Sequence, residues 1–304
     1  MRKLVIVLIV VLIAVAAVGI WGGWMFRYRP LEVFAWSSRF ALGKAGLTKV
    51  EVQAPAGQQT VWRGGLGPVM VLLHGAGDQA GTWYRVAPEL AKHFTLIVPD
   101  LAGHGGSAPS SGPIELSAVL GGVEAEIAQL AGGQRVILVG NSLGAWVATL
   151  VAQRHPGWVD RLVLIDGGAL KGSNVRARVL PQNRAEARES VAQTRDPGSP
   201  PVPDFVLDDI VRQAKEGPLA RFAATVSSMD PFVLGEDQLH AIDVPVQIIW
   251  GASDRLMPAD YPERLLEAFP HATLVRLDRC GHVPQIECPD RLLAALRQTP
   301  EAHR

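Results

Sequence analysis

An α/β fold, built on a mostly parallel sheet doubly wound by helices, is what this sequence predicts, and three observations carry the prediction. Short β-branched and aliphatic runs recur at Val69–Leu73, Phe94–Val98, Val136–Val139, Arg161–Ile165, Val246–Gly251 and Ala272–Leu277. Between several of them lie longer stretches at helical spacing, such as Ile114–Leu130, which lines up Leu116, Leu120, Val123 and Ile127. Continuous apolar strands suit a sheet covered on both faces, and strand–helix alternation suits parallel connections. The third observation is the pentapeptide Gly140-Asn141-Ser142-Leu143-Gly144, set between a strand and an alanine-rich helix.

That pentapeptide organises the rest of the chain. A strand that turns straight into a helix through G-x-S-x-G lifts the serine above the sheet edge. The turn is tight enough to demand glycine two positions either side of Ser142. The Leu143 N–H is then left free at a helix N-terminus, where it stabilises negative charge. Ser142 is therefore the candidate nucleophile, and Leu143 the first candidate oxyanion donor.

Composition narrows the classes. The chain has 304 residues, 48% hydrophobic and 19% charged, with 29 basic and 29 acidic side chains. Zero formal net charge gives no reason to expect a nucleic-acid partner. Only Cys280 and Cys288 are present, which excludes a disulfide framework. Two free thiols are the simpler expectation, with a single bridge open to an oxidising compartment.

Arg2 and Lys3 precede an uncharged apolar run, Leu4–Phe26. At about 1.5 Å per residue it reaches about 35 Å, enough for a hydrocarbon core of roughly 30 Å. Trp21, Trp24 and Tyr28 stand where interfacial aromatics belong, followed by Arg27 and Arg29. A retained anchor over residues 1–29 is the favoured reading. A cleaved signal peptide is the rival, since Ala14-Val15-Ala16 has cleavage-site spacing. Basic residues flank both ends, so charge barely sets the orientation. A short basic N-terminus leans towards a catalytic domain outside the cytoplasm. Residues 30–47 read either as a helix lying on the membrane surface or as a linker helix packed on the body.

Val50–Val52 and Thr60–Trp62 read as two short edge strands, and Pro88–His93 as a short helix. The Val69–Leu73 strand runs into His74-Gly75-Ala76-Gly77, a loop whose backbone can closely approach a reacting carbonyl. In an acyl-transfer enzyme the Ala76 N–H there is the second oxyanion donor. His74 itself is expected to orient the loop by a hydrogen bond. The turn Asp100–Ser107 is rich in glycine, but no second ligand cluster stands near it and it lacks a P-loop lysine. No metal or cofactor is expected.

With these motifs in place, the chain resembles the α/β-hydrolase fold superfamily, in its branch of small capped lipases, esterases and C–C hydrolases. The resemblance rests on His74–Gly77, Asp100–Ser107, Gly140–Gly144 and two later motifs, Trp250-Gly251-Ala252-Ser253-Asp254 and Cys280-Gly281-His282. It spans roughly Lys49–Ala169 and Asp243–Gln298. It implies a core of residues 48–169 and 240–304, with a cap of residues 170–239 inserted after the sixth strand and folded over the serine. The order Ser, Asp, His is the order expected on this fold. His282 then takes the Ser142 proton, and Asp254 holds the imidazole's tautomer. Asp254 is preferred to Asp243 and Asp278 because it closes a strand–loop motif. Phe205, Phe222, Met229, Phe232 and Val233 are candidates to line an acyl pocket or simply to pack the cap. The cap arginines, Arg176, Arg178, Arg184, Arg188 and Arg195, read as a solvated face.

The reaction so implied is hydrolysis of a small-molecule acyl ester, lipid-like in view of the anchor, as in the membrane-bound monoacylglycerol lipases that the layout resembles. The alternative is C–C bond hydrolysis of vinylogous diketones, whose enzymes share Gly-Asn-Ser-x-Gly. The chain lacks their proline–glycine continuation after His74-Gly75. Epoxide hydrolases and dehalogenases need an aspartate where Ser142 stands. A non-catalytic, membrane-tethered binding module is the reading from another class, and the intact Ser, Asp and His argue against it.

Overall fold

The computed structural model describes residues 2–172 and 179–297. Each apolar run becomes a strand: β1 Thr48–Ala54, β2 Gly57–Gly65, β3 Val69–Leu73 and β4 Thr95–Pro99, followed by β5 Val136–Asn141, β6 Val159–Ile165, β7 Val246–Gly251 and β8 Ala272–Leu277. They form one sheet in the order β1-β2-β4-β3-β5-β6-β7-β8. The β1–β2 and β2–β4 pairs are antiparallel, and all the others are parallel. This is the α/β-hydrolase fold.

The period-two geometry of a strand explains why the central strands are apolar throughout. Val69, Val71 and Leu73 of β3 join the core on one face, with α4 (Leu116–Leu130) and α5 (Leu143–Arg154). Met70 and Leu72 join the opposite core, with Trp83, Leu42 and Leu292. That second face is closed by α2 (Pro30–Lys44) and α12 (Pro289–Arg297). Between β3 and β4 the expected helix at Pro88–His93 is shorter and earlier. A 3₁₀ segment at Ala80–Arg85 leads into α3, Ala87–Leu90, and Leu90 then caps the turn into β4.

At the N-terminus α1 runs from Arg2 to Tyr28, and Ile9–Tyr28 is long and apolar enough to cross a membrane, with none of that window buried. Pro30 starts α2 afresh. Ser38 and Leu42 are buried against the body, whereas Trp36 and Phe40 are 70% and 56% exposed.

The chain between β6 and β7 carries α6 (Arg184–Thr194), α7 (Asp204–Glu216), α8 (Pro218–Ala223) and α9 (Glu236–His240). Arg184 and Arg188 pair with Asp204 and Asp208 at the surface, whereas Arg176 and Arg178 lie outside the described residues. The candidate lining residues go different ways. Phe222 and Met229 are buried in the core, and Phe232 packs against it. Phe205 instead meets Phe26 of α1, with ring centroids 5.4 Å apart. Helix α7 also holds the α1–α2 junction, through Asp209 Oδ2 accepting from the Leu31 N–H at 3.0 Å and Arg212 reaching Glu32 at 2.9 Å. The remaining α-helices among the described residues are α10 (Tyr261–Ala268) and α11 (Pro284–Glu287).

The expectation of two free thiols is wrong, because Cys280 and Cys288 are bridged. The α11 turn folds the chain back and leaves their Cα atoms 5.9 Å apart, inside the span of a disulfide. A loop this short contributes roughly 2.5 kcal/mol through the unfolded chain's lost entropy. His282 lies within that loop.

Candidate active site

In an open α/β sheet a ligand site forms at the carboxyl ends of the strands, where the connections change direction. Here that point lies between β3 and β5, since β3 connects outward to β4 and β5 connects towards β6. The HGAG loop leaves one of these strands and Ser142 leaves the other. They touch: a side-chain carbon on Gly75 would come within 3.3 Å of Ser142 Cβ.

Ser142 sits at φ 54° and ψ −115°, in a region that L-residues rarely occupy. Its own N–H donates to Ile165 O at 2.9 Å, and helix α5 starts at the next residue. The bend presses Gly144 against β3, where a Cβ would lie 2.4 Å from Leu73 O. Only glycine fits there. Among the described residues neither the Ala76 nor the Leu143 N–H meets a backbone acceptor outside the helices and strands.

The loops after β7 and β8 bring Asp254 and His282 together. His282 Nδ1 lies 2.8 Å from Asp254 Oδ2, and the two side chains are 7% and 0% exposed. The other Asp254 oxygen accepts from the Leu256 N–H at 2.8 Å. Asp243 is exposed and pairs with His271, so it is not a partner of His282. An imidazole held this way donates from Nδ1 and presents Nε2 as a base.

Several supporting residues carry no motif. Asn141 Nδ2 donates to His282 O at 2.9 Å and to Ile165 O at 3.2 Å, while its Oδ1 accepts from Gln285 at 3.0 Å. This variable position of G-x-S-x-G therefore ties the serine strand to the histidine loop. The C-terminal end of α6 grips both loops: His282 N–H donates to Thr194 O and Arg255 N–H to Gln193 O, each at 2.9 Å. Glu287 accepts from the Gly281 and Asp196 N–H groups and from the Ser199 hydroxyl. Spacing alone gave no signal for any of these, since each depends on contacts between distant loops.

His74 plays the orienting part expected of it. Its Nε2 accepts from the Leu101 N–H at 2.9 Å, and its Nδ1 lies 2.8 Å from Gly75 O. His104 Nε2 accepts from the Gly77 N–H at 3.1 Å, pinning the far end of the same loop. Burial pulls the His74 ring down to about 4, despite its bond to the Gly75 carbonyl. Burial, and then neighbouring His74, takes His104 to about 3. Both rings are neutral in the fold, whereas an unfolded chain protonates them near 6.5. Their stabilisation is complete above 6.5 and is lost as pH falls towards these lowered values. The buried acids Glu126 and Asp166, raised by burial, act in the opposite sense, so the histidine effect is read by comparison. His104→Gln keeps an acceptor for Gly77 and removes one titration. Relative to wild type it gains roughly 1.4 kcal/mol per pH unit as pH falls below the unfolded value. Urea unfolding at several pH values measures this, and parallel pH profiles for the two proteins would refute it.

A cleft of about 610 Å³ lies between the Gly103–Ala108 loop and α7–α8, but neither Ser142 nor His282 borders it. On the site side, Leu219 of α8 abuts Gly77, where a Cβ would approach Leu219 Cβ to 2.9 Å. Part of the β6–β7 insertion therefore adjoins the HGAG loop.

Fold and site geometry together define a hydrolase of the α/β class. The chain belongs to the alpha/beta hydrolase family, whose model matches residues 70–295. It is 32% identical over 243 residues to the pimeloyl-[acyl-carrier protein] methyl ester esterase of Aromatoleum aromaticum, covering 73% of this chain and 94% of that one. It is 28% identical over 274 residues to a 2-hydroxy-6-oxononadienedioate/2-hydroxy-6-oxononatrienedioate hydrolase of Cupriavidus pinatubonensis, covering 83% and 91%. Among solved structures, a bacterial membrane phospholipase A superposes with a TM-score of 0.75 at 25% identity, over 99% of this chain and 100% of that one.

Proposed function

We propose that the protein is a membrane-tethered serine hydrolase of carboxylic esters, lipid-like or with small acyl groups. The observation that carries this is a histidine bonded to a buried aspartate at 2.8 Å and held through Asn141 against the strand that ends in the strained Ser142. Ser142 Oγ attacks the ester carbonyl as His282 Nε2 takes its proton, and the Ala76 and Leu143 N–H groups hold the oxyanion. The tetrahedral intermediate expels the alcohol, which takes the proton back from His282. Water, deprotonated by the same imidazole, then releases the carboxylic acid and restores Ser142.

Support for a lipid-like ester comes from the exposed apolar helix α1 and from likeness to the membrane phospholipase over nearly the whole chain. We place the catalytic domain outside the cytoplasm, a reading favoured by the disulfide that closes the His282 loop. The insertion at residues 170–239 acts as a cap in this proposal. C–C bond hydrolysis is the second reading, favoured by the Cupriavidus relative.

A panel of p-nitrophenyl and glycerol esters graded by acyl length, run beside a ring-fission dienoate, separates the two. Turnover of esters with none on the dienoate is expected, and the reverse pattern would replace the ester reading. Carbonate extraction of membranes should leave the full chain in the pellet. Recovery of a shortened chain in the supernatant would show a cleaved signal instead.

A further inference from the structure

We infer that Asp166 is a positioning residue for the Asp254–His282 pair: an uncharged acid that donates its proton to the Asp254 carboxylate. This rests on the proposed Ser142–His282–Asp254 chemistry.

Asp166 follows β6 directly, in the strand next to the one that delivers Asp254. It is wholly buried and adopts φ 47°, a left-handed backbone that is strained for a non-glycine residue. Its N–H donates to Ile249 O at 3.1 Å, which fixes the bend to β7. The side chain is thereby aimed across the end of β7. Oδ1 accepts from the Gly251 N–H at 2.8 Å. Oδ2 meets no N–H or O–H donor. What the carboxyl meets instead is the carboxyl of Asp254, close enough for each to act on the other's ionisation. One oxygen from each, with a ring nitrogen of His282, all fall within 4.8 Å of one another.

Two buried carboxylates this close cannot both be ionised, because their repulsion adds to the cost of removing each from water. The donors decide which one keeps the charge. Asp254 receives the Leu256 N–H on one oxygen and His282 Nδ1 on the other. Asp166 receives only the Gly251 N–H. The other acid near it, Glu287 of α11, disfavours a second charge further; Arg195 pairs with Glu287 at 3.8 Å, and no lysine or arginine pairs with Asp166 among the described ion pairs. The proton therefore rests on Asp166 Oδ2, which explains why that oxygen lacks a donor: it is one. Burial and the Asp254 charge both push the Asp166 carboxyl well above its ordinary range. The Asp254 carboxylate then has a third hydrogen bond, from its far side, that fixes its plane towards the imidazole.

Asparagine provides the test, because its Oδ1 and Nδ2 reproduce one acceptor and one donor without charge. Asp166→Asn should keep kcat on esters within about threefold and leave the acid limb of the pH–rate profile in place. Asp166→Ala should lower kcat by roughly 10- to 100-fold with KM little changed, the usual range for a lost supporting partner, and displace the acid limb. The infrared difference spectrum of wild type minus Asp166→Asn, taken on resting protein at neutral pH, should contain a protonated-carboxyl C=O band. Glu126, a second buried acid, cancels in that difference. Absence of the band, or an asparagine variant as impaired and as displaced in pH profile as the alanine one, would overturn the inference. The band needs no turnover, so inactivity of the wild type on every ester would defeat the proposed function and still leave the charge on Asp166 decided.

Discussion

Replacing Ser142 by alanine should lower ester turnover between about a thousandfold and a millionfold, leaving only what the oxyanion donors and binding supply. Fluorophosphonate labelling should vanish with it. The fold should survive, because the backbone bond from Ser142 N to Ile165 O and the start of α5 do not involve the hydroxyl. The same melting temperature with no labelling is the expected pair of results. Full esterase activity in the alanine variant would place the nucleophile elsewhere and remove the basis of the mechanism.

Asp254→Asn is expected to cost about four orders of magnitude in kcat, with KM much less affected. The 2.8 Å contact requires His282 Nδ1 to donate to Asp254 Oδ2. An amide at that position offers N–H in place of an acceptor when it takes the wrong orientation, and the imidazole then carries its proton on Nε2. An imidazole already protonated at Nε2 cannot take up the Ser142 proton there in the proposed mechanism. An asparagine variant with undiminished kcat would show that the aspartate is structural only. Steady-state kinetics with one good ester, alongside thermal melting, separates the two outcomes.

These two expectations draw on different levels of the molecule, and so does what was legible beforehand. The six apolar runs were readable as strands because a parallel sheet buried on both faces leaves no polar positions to blur the pattern. The turn at Ser142 was readable because its close approach to β3 admits nothing larger than glycine at position 144. Asp254 was distinguished from Asp243 by the strand and glycine that precede it, and it does bond His282 whereas Asp243 does not.

Other features depended on where distant segments meet. Cys280 and Cys288 pair because the short α11 turn folds the chain back on itself, and their spacing carries no record of that turn. Phe205 stands in the apolar periodicity of α7 like any pocket residue, yet its ring meets Phe26 from the first helix. The role of Asn141 requires His282, which lies 141 positions away.

By itself the sequence determined the α/β order, the serine turn, the HGAG loop and the strand-delivered Asp254 and His282. These follow from local sterics and from periodicity, both written in adjacent residues. Tertiary structure alone decided the disulfide, the grip of the Gln193–Ser199 segment on the Asp254 and His282 loops, and the meeting of Asp166 with Asp254. The reason is physical: the charge and bonding of a buried group depend on which donors surround it, and those donors arrive from strands that only the folded sheet makes neighbours.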